Sequence, residues 1–229
     1  MQTIILDTET HTLNGLPIEI AYAPIQIQDG KLTLNKQQIF DQFYQVHEPI
    51  SYAAMAVHHI LESDLIDQPD YTSFKLPSDT QYIIGHNVDY DIQAIARCGI
   101  DVSHLKPICT LALARLVWPN AEAHNISALI YQISKGSAKA RELLKGAHRA
   151  DADIILTANI LMHIIAHLGI QSVEELYLAS EDARIPKSMS FGKHKGTAIS
   201  DLPADYVKWL LRQDDLDTYL RTALEKTGF

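Results

Sequence analysis

The chain has 229 residues, 47% apolar and 21% charged, which fits one sizeable globular domain with an appendage, or two small domains. Its formal charge of −9 argues against a general polyanion binder, and the opening Met1-Gln2-Thr3 followed by a short apolar run lacks the basic region and long apolar core of a secretory leader. Cys98 and Cys109 have neither metal-site spacing nor the numbers for a disulfide framework, so a reducing, cytoplasmic setting is expected.

In chain order, Thr3–Leu6 is apolar and β-prone and predicts a first strand. Ile18, Ile20, Tyr22, Ile25 and Ile27 alternate with other residues and predict a second, ending at the turn Asp29-Gly30. Ile39–Val46, rich in Phe and Tyr, predicts a third, and the close turns suggest an antiparallel meander. "SYAAMAVHHI" predicts a short helix. "QYIIGHN" (81–87) predicts a fourth strand ending at Gly85, followed by a helix with Ile92, Ile95 and Ala96 on one face and Gly99 as its stop. "KPICTLALARLVW" reads as a strand and then a helix that ends before Pro119, and residues 125–133 as another helix. In residues 151–168, Ile154, Ala158, Leu161, Ile165 and Leu168 follow the spacing of one buried helical face. The stretch Ile154–Ile170, interrupted by Asn159, His163 and His167, is too short and polar to span a bilayer comfortably, and no membrane partner is expected.

This order predicts an α/β fold: a mixed sheet of three antiparallel strands and then parallel strands, flanked by helices. A linker near Gly169–Ser172 divides the chain into domains 1–170 and 171–229. The second carries the turn "FGKHKG" (191–196) and a helix in "SDLPADYVKWLL", with Pro203 suited to a first-turn position. Charge is unevenly spread. Residues 1–134 hold 6 Lys/Arg against 15 Asp/Glu, whereas 135–170 hold 5 against 3. In the acidic remainder, Arg184, Lys187, Lys193 and Lys195 form a run with no acid between them. The acidic half suits cations, and the basic stretches suit something anionic.

Asp7 and Glu9, in "LDTETHTL", share parity on a strand and point to one face. Acids recur at other element ends: Asp91 near a helix N-terminus in "GHNVDYD", and Asp153 in "HRADAD" at the start of the long helix. Each alone suits a solvated strand end or a helix dipole. Four converging at one end of a sheet would repel strongly unless cations sit among them.

Asp-x-Glu-Thr after the first strand, His-Asn-x-x-Tyr-Asp after the fourth and His-x-Ala-x-x-Asp opening a late helix resemble the motifs of the DnaQ-like 3′–5′ exonucleases of the DEDDh group, over about residues 1–168. "AMAVHHI" (54–60) and "CTLALARLVWP" (109–119) resemble intermotif segments of that family, and "FGKHKG…DLPADYVKWLL" resembles the end of its exonuclease X-like branch. The resemblance implies an RNase H-like fold and metal-dependent removal of nucleoside 5′-monophosphates from a nucleic acid 3′ end. Asp7, Glu9, Asp91 and Asp153 would hold two Mg²⁺ ions, with Mn²⁺ as a substitute, set about 3.5–4 Å apart as in two-metal phosphodiester hydrolysis. His148, five residues before Asp153, would be the general base, because an imidazole of pKa about 6.5 suits proton transfer near neutrality. The tyrosine form of the family would need Tyr at the position of Arg149. Asp151 is a nearby competitor for the metal, but the motif assigns the role to Asp153.

Thr8, within the first motif, is expected to contact substrate, and Thr10 and His58 match positions that touch the terminal nucleotide in the family; His58 also reads as an ordinary helix-surface histidine. Asn87 suits turn ordering more than substrate contact. Leu13 reads equally as core or as an apolar lip beneath the last base. Where the family often continues "TETTGL", this chain has "TETHTL" and then Asn14-Gly15, so the loop beside the first motif is altered. The basic run Lys135, Lys139, Arg141 and Lys145 leads into His148 and suits phosphate contact. The tail favours DNA, single-stranded or frayed at its 3′ end. An RNA exonuclease of the oligoribonuclease or RNase T kind and a non-catalytic nucleic-acid-binding protein are the alternatives, and the tail suits either nucleic acid or a protein partner.

Overall fold

The computed structural model describes residues 2–228, which divide into a first unit ending at Ser180 and a second beginning at Glu181. The first unit is organised around strand β1 (Gln2–Thr10), whose segment Thr3–Leu6 is buried. It pairs antiparallel with β2 (Pro17–Gln28) on one side and parallel with β5 (Thr80–Gly85) on the other, and β5 pairs parallel with β6 (Lys106–Cys109). A strand buried on both faces needs continuous apolar residues rather than alternation; Ile4, Ile5, Leu6, Ile83 and Ile84 supply them, all 0% exposed.

The third strand expected at 39–46 is present at 40–43, and an unexpected strand at 31–34 precedes it along the same edge of β2. Asp29 (φ 51°) and Gly30 (φ 72°) both take left-handed backbone, which closes a tight hairpin. The chain returns as β3 (Lys31–Leu34) against Ile25–Gln28, makes a 3₁₀ turn capped by Asn35, and re-forms as β4 (Phe40–Phe43) against Glu19–Tyr22. Four residues with charged or polar neighbours gave β3 too little pattern to read. The sheet order is β3-β2-β1-β5-β6, with β4 also on β2.

Helices α1 (Tyr52–His58), α2 (Val88–Ala96), α3 (Thr110–Val117) and α4 (Ile126–Ile133) fall where the sequence places them, and α5 (Ala138–Leu143) adds a short turn capped by Ser137. The long helix α6 (Ala150–Leu168) lies across β1 and β2 and ends at Gly169, in left-handed backbone at φ 69°. By length and apolar content alone α6 would meet the measure of a membrane span. Its Ile154, Leu156, Ile160, Leu161 and Ile164, all 0% exposed, form the core of the first unit instead.

The division expected near residue 170 falls ten residues later. Gly169–Ser172 is a turn, after which α7 (Val173–Arg184) carries Leu176 and Ser180, both 0% exposed, onto the first unit. The Ser180 hydroxyl accepts the Cys109 N–H at 2.8 Å, and Tyr177 meets Tyr82 edge-on at 5.8 Å with Lys106 Nζ over both rings. The mean hydropathy of α7 is too low to announce this packing.

The second unit has its own small core: Met189, Ile199, Leu202, Val207 and Leu210, closed by Leu220, Ala223 and Leu224. Helices α8 (Ala204–Leu211) and α9 (Thr218–Glu225) supply most of it. The "FGKHKG" turn is tied at its base by Met189 and Thr197 and by a bridge between Ser188 and Ala198. Pro203 is the residue that caps α8 rather than one in its first turn.

A chain ending after residue 170 should be less stable in urea than one ending after residue 184. Exposing Leu176 forfeits about 1.5–3 kcal/mol and the unpaired Cys109 N–H about 1–3 kcal/mol. Equal midpoints and slopes for the two chains would place the boundary back at 170.

Candidate active site

Neighbouring strand residues face opposite sides of a sheet. At the end of β1 this sends Asp7 and Glu9 towards α6 and Thr8 towards α2. On the first side, carboxylate oxygens of Asp7, Glu9 and Asp153 all lie within 4.8 Å of one another. On the second, the Thr8 hydroxyl donates to Asp91 Oδ1 at 2.8 Å. Gly85 allows α2 this close approach: a Cβ there would sit 3.2 Å from Asp91 Oδ2 and 3.2 Å from the Leu6 carbonyl oxygen. All four carboxylates and His148 line one cleft of about 440 Å³, with His86, Asn87, Tyr90 and the start of α4 completing its wall.

Burial, reinforced by mutual repulsion, raises every one of these carboxyls. Glu9 is pushed up to about 8 and Asp7 well above its ordinary value. Asp91 reaches about 7 although the Thr8 hydrogen bond pulls it down, and Asp153 about 6 against the pull of His148. Closely set carboxylate oxygens that burial and mutual charge make hard to ionise are the donor set that hard divalent cations satisfy.

His148 adopts left-handed backbone (φ 68°), and its N–H donates to Asp153 Oδ1 at 3.3 Å. Such a conformation in a non-glycine residue costs energy and collects at functional sites. Here it turns the chain at the mouth of the cleft, and the residue is exposed there.

Glu19 carries no motif signal, yet it organises this junction. It is 0% exposed, directly opposite Glu9 in the β1–β2 register. One oxygen accepts Arg149 Nε at 2.9 Å and Nη2 at 2.8 Å; the other accepts the Ala150 N–H at 3.2 Å. Glu19 thus caps α6, which has no side-chain cap of its own, and fixes the residue next to His148. Arg149 also lies over the Phe43 ring, 4.8 Å from its centroid. In the sequence, Glu19 is one polar residue within an alternating strand, and nothing there pairs it with a helix start 130 residues away.

The expected substrate residues separate. Thr8 is spent on Asp91. Thr10 is 5% exposed, and its hydroxyl is shared between the Thr12 carbonyl and the Tyr90 hydroxyl. Asn87 takes left-handed backbone (φ 75°) at the start of α2, makes no side-chain cap and lines the cleft. His58 is not a surface histidine: it is 2% exposed, its Nδ1 accepts the Ile60 N–H, and burial lowers its pKa. It borders a neighbouring groove with Lys145 and Arg149 rather than the carboxylate cleft. Leu13 is 80% exposed and is not core. The altered loop around it is held by His11, whose Nδ1 accepts the Leu16 N–H and whose Nε2 meets Glu48. Gly15 is required there, since a Cβ would stand 2.7 Å from the His11 ring.

A mixed sheet whose central strand delivers carboxylates into a cleft between helices defines a nuclease-type domain. The chain belongs to the family described as Exonuclease, whose model matches residues 4–161; it has the RNase H-like fold and is a nuclease of the hydrolase class. Residues 183–225 match a second family, described as "Putative quorum-sensing-regulated virulence factor". The chain is 28% identical to Exodeoxyribonuclease 10 of Escherichia coli K12 over 96% of both chains. It resembles the structure of Exonuclease X in complex with 5′ overhanging duplex DNA at a TM-score of 0.59 and 28% identity, covering 78% of this chain and 99% of that one. Escherichia coli Exonuclease I shares the fold at a TM-score of 0.54 and 14% identity, over 71% of this chain and 40% of that one.

Two predictions rest on this geometry. Thr8→Val keeps the shape but removes the hydroxyl that orients Asp91. Were Asp91 to hold a cation, loss of its outer partner would cost about 10- to 100-fold in metal affinity. A Mg²⁺ titration should shift by that much, Thr8→Ser should restore it, and an unchanged midpoint in Thr8→Val would show that Asp91 does not depend on Thr8.

The second concerns pH without metal. Glu9, Asp91 and Asp153, at about 8, 7 and 6, bind protons more tightly folded than unfolded. Their ionisation therefore penalises the folded state, and the penalty lifts as pH falls. His86, lowered by burial to about 4, acts in the opposite direction below its ordinary 6.5. In EDTA, thermal stability should accordingly rise as pH is lowered from about 8.5 to about 6.5. Asp7→Ala should be more stable than the parent at the upper end, and Mg²⁺ should abolish the trend. A metal-free midpoint that falls over this range would contradict the strained cluster.

Proposed function

We propose that the chain is a metal-dependent 3′–5′ exodeoxyribonuclease that releases nucleoside 5′-monophosphates. The observation that carries this reading is the convergence of Asp7, Glu9, Asp91, Asp153 and His148 on one cleft. Kinship to an exodeoxyribonuclease along nearly the whole chain favours DNA as the polymer. Asp7, Glu9, Asp91 and Asp153 would hold two divalent cations, Mg²⁺ or Mn²⁺, which when bound neutralise the phosphate charge and supply an activated water.

The chain's own groups do the rest. His148, exposed at the mouth of the cleft, accepts a proton as the water oxygen bonds to phosphorus and the bond to the 3′ oxygen of the preceding nucleotide breaks. Asp153 fixes the His148 backbone, and the Glu19–Arg149 pair fixes the start of α6 that carries Asp153. Thr8 holds Asp91 from beneath. Asn87 and the start of α4 face the cleft where the terminal nucleotide would lie, and the exposed Leu13 is available as an apolar lip for its base.

End-labelled DNA and RNA, each single- and double-stranded, compared in Mg²⁺, test this reading directly. Stepwise shortening from the 3′ end of DNA, fastest on single-stranded or frayed ends, is expected. Preferential loss of RNA would move the chain to the oligoribonuclease kind. Asp7→Ala and Asp153→Asn should abolish shortening while circular dichroism stays unchanged. His148→Ala should lower single-turnover rates about 100- to 10,000-fold without loss of metal binding. Undiminished cutting by any of the three would overturn the assignment of that residue.

A further inference from the structure

The second unit carries an aromatic stack whose inner ring, Tyr206, packs against its core and whose outer ring, Trp209, is exposed. On α8, Tyr206 and Trp209 are three residues apart, so they share a face. Their rings stack at 5.6 Å with an interplanar angle of 23°. The His194 ring, from the 191–196 turn, approaches Tyr206 to 4.5 Å, and Lys193 Nζ sits 5.6 Å from the centroid of the Tyr206 ring. Gly192 brings the turn onto this ring: it is in left-handed backbone (φ 69°), and a Cβ there would stand 3.2 Å from the Tyr206 hydroxyl. The stack ends in the open. Trp209 is 52% exposed and Phe191 48%, and neither belongs to the core cluster of the unit.

Charge surrounds this face on the side of the turn. No acid occurs between Asp182 and Asp201, while Lys187, Lys193 and Lys195 are exposed there. Arg212, three residues beyond Trp209 at the end of α8, is exposed as well. Arg184, the other cation of this run, is engaged with Tyr219: it donates to the hydroxyl at 2.5 Å and lies over the ring. The cations left at the turn are thus lysines, beside a flat aromatic end. Aromatic faces on which bases stack, combined with cations that track the backbone, are how proteins hold single-stranded nucleic acid without reading its sequence.

We propose that this face binds single-stranded nucleic acid, with one base stacked on Trp209 and the neighbouring phosphates met by Lys193 and Lys195. It is a second contact with the polymer, outside the carboxylate cleft. The inference rests on the reading of the chain as a nuclease only in the choice of ligand, and it is tested without turnover.

The chain has two tryptophans, Trp118 and Trp209. Trp118→Phe in the full chain leaves Trp209 as the sole tryptophan reporter, and EDTA prevents cutting. Titration with oligothymidylate should quench Trp209 fluorescence saturably, and the quenching should be lost as salt rises. In the parent background, Trp209→Ala should weaken oligothymidylate binding about tenfold or more, whereas Trp209→Phe, which keeps a ring, should retain most of it. Replacing Lys193 and Lys195 by Gln should flatten the log–log salt dependence by about 0.7 per lost phosphate contact.

Absence of quenching, or equal affinity in Trp209→Ala and parent, would overturn the proposal. Equal quenching by polyglutamate would also overturn it, by making the face one for acidic protein. Quenching in a chain that never cuts DNA would sink the catalytic reading and leave this one standing; cutting without quenching would do the reverse.

Discussion

Repulsion between closely set carboxylates is the constraint on which the rest of the first unit depends. Among the described residues, two groups of three acids bring ligand oxygens within 4.8 Å: Asp7, Glu9 and Asp153, and Glu19, Asp41 and Asp151. They lie on neighbouring strands and share the start of α6, and the two are treated differently. The second group has a cation built in, since Arg149 makes two bonds to Glu19 and is attracted by Asp41 and Asp151. The first has only a weak share of Arg149 and the nearby imidazole of His148. Arg149 answers Glu19 in the second group, although burial, Glu19 and Asp151 still raise Asp41 to about 6; the first group has no arginine of its own, which suits the divalent cations proposed for it. The Glu9–Glu19 register makes this sharper: two acids face one another across a strand pair, an arrangement destabilising by itself.

That constraint explains why the supports are so specific. Asp91 can be held in an apolar setting because Thr8 donates to it, and Thr8 can reach it because Gly85 has no side chain. Asp153 is tied to the His148 backbone, and His148 pays for this with a left-handed conformation. The start of α6 needs an acceptor for its free N–H groups, and Glu19 supplies it from the strand beneath. Each is a local cost that packing of the sheet and α6 over-determines, as is usual where a site is built before its ligand binds.

What the sequence disclosed follows from range. Parity in β1 was enough to put Asp7 and Glu9 on one face, and the four carboxylates stood at element ends because strands and helices announce themselves by period. The failures are of two kinds. The strand β3 has too few residues for a pattern and α7 is only weakly amphipathic, so that strand went unread and the domain boundary moved from 170 to 180. Long-range pairings have no local signature at all. Nothing near Glu19 foretells Arg149, and Thr8 read as a substrate contact because its partner is 83 residues away. His58 is similar, since a helix-end histidine looks solvated until the chain that covers it is known.

The two units differ in where their exposed apolar side chains and charges lie. In the first, exposed apolar side chains such as Leu13, Tyr52 and Met162 are scattered over loops and helices, and Asp91 and Asp153 of the cleft are buried. In the second, a core of eight residues leaves little surplus stability, so an open tryptophan and a run of lysines without acids are features that folding alone would not favour. Net charge over the whole chain hides this. The strongly negative total comes from the first 134 residues, and it would slow the approach of any polyanion. On the proposed reading, a locally basic, aromatic face on a separately cored unit would offset that repulsion for a polyanion, and its lysines stay out of the carboxylate cleft, where they would compete with a bound cation.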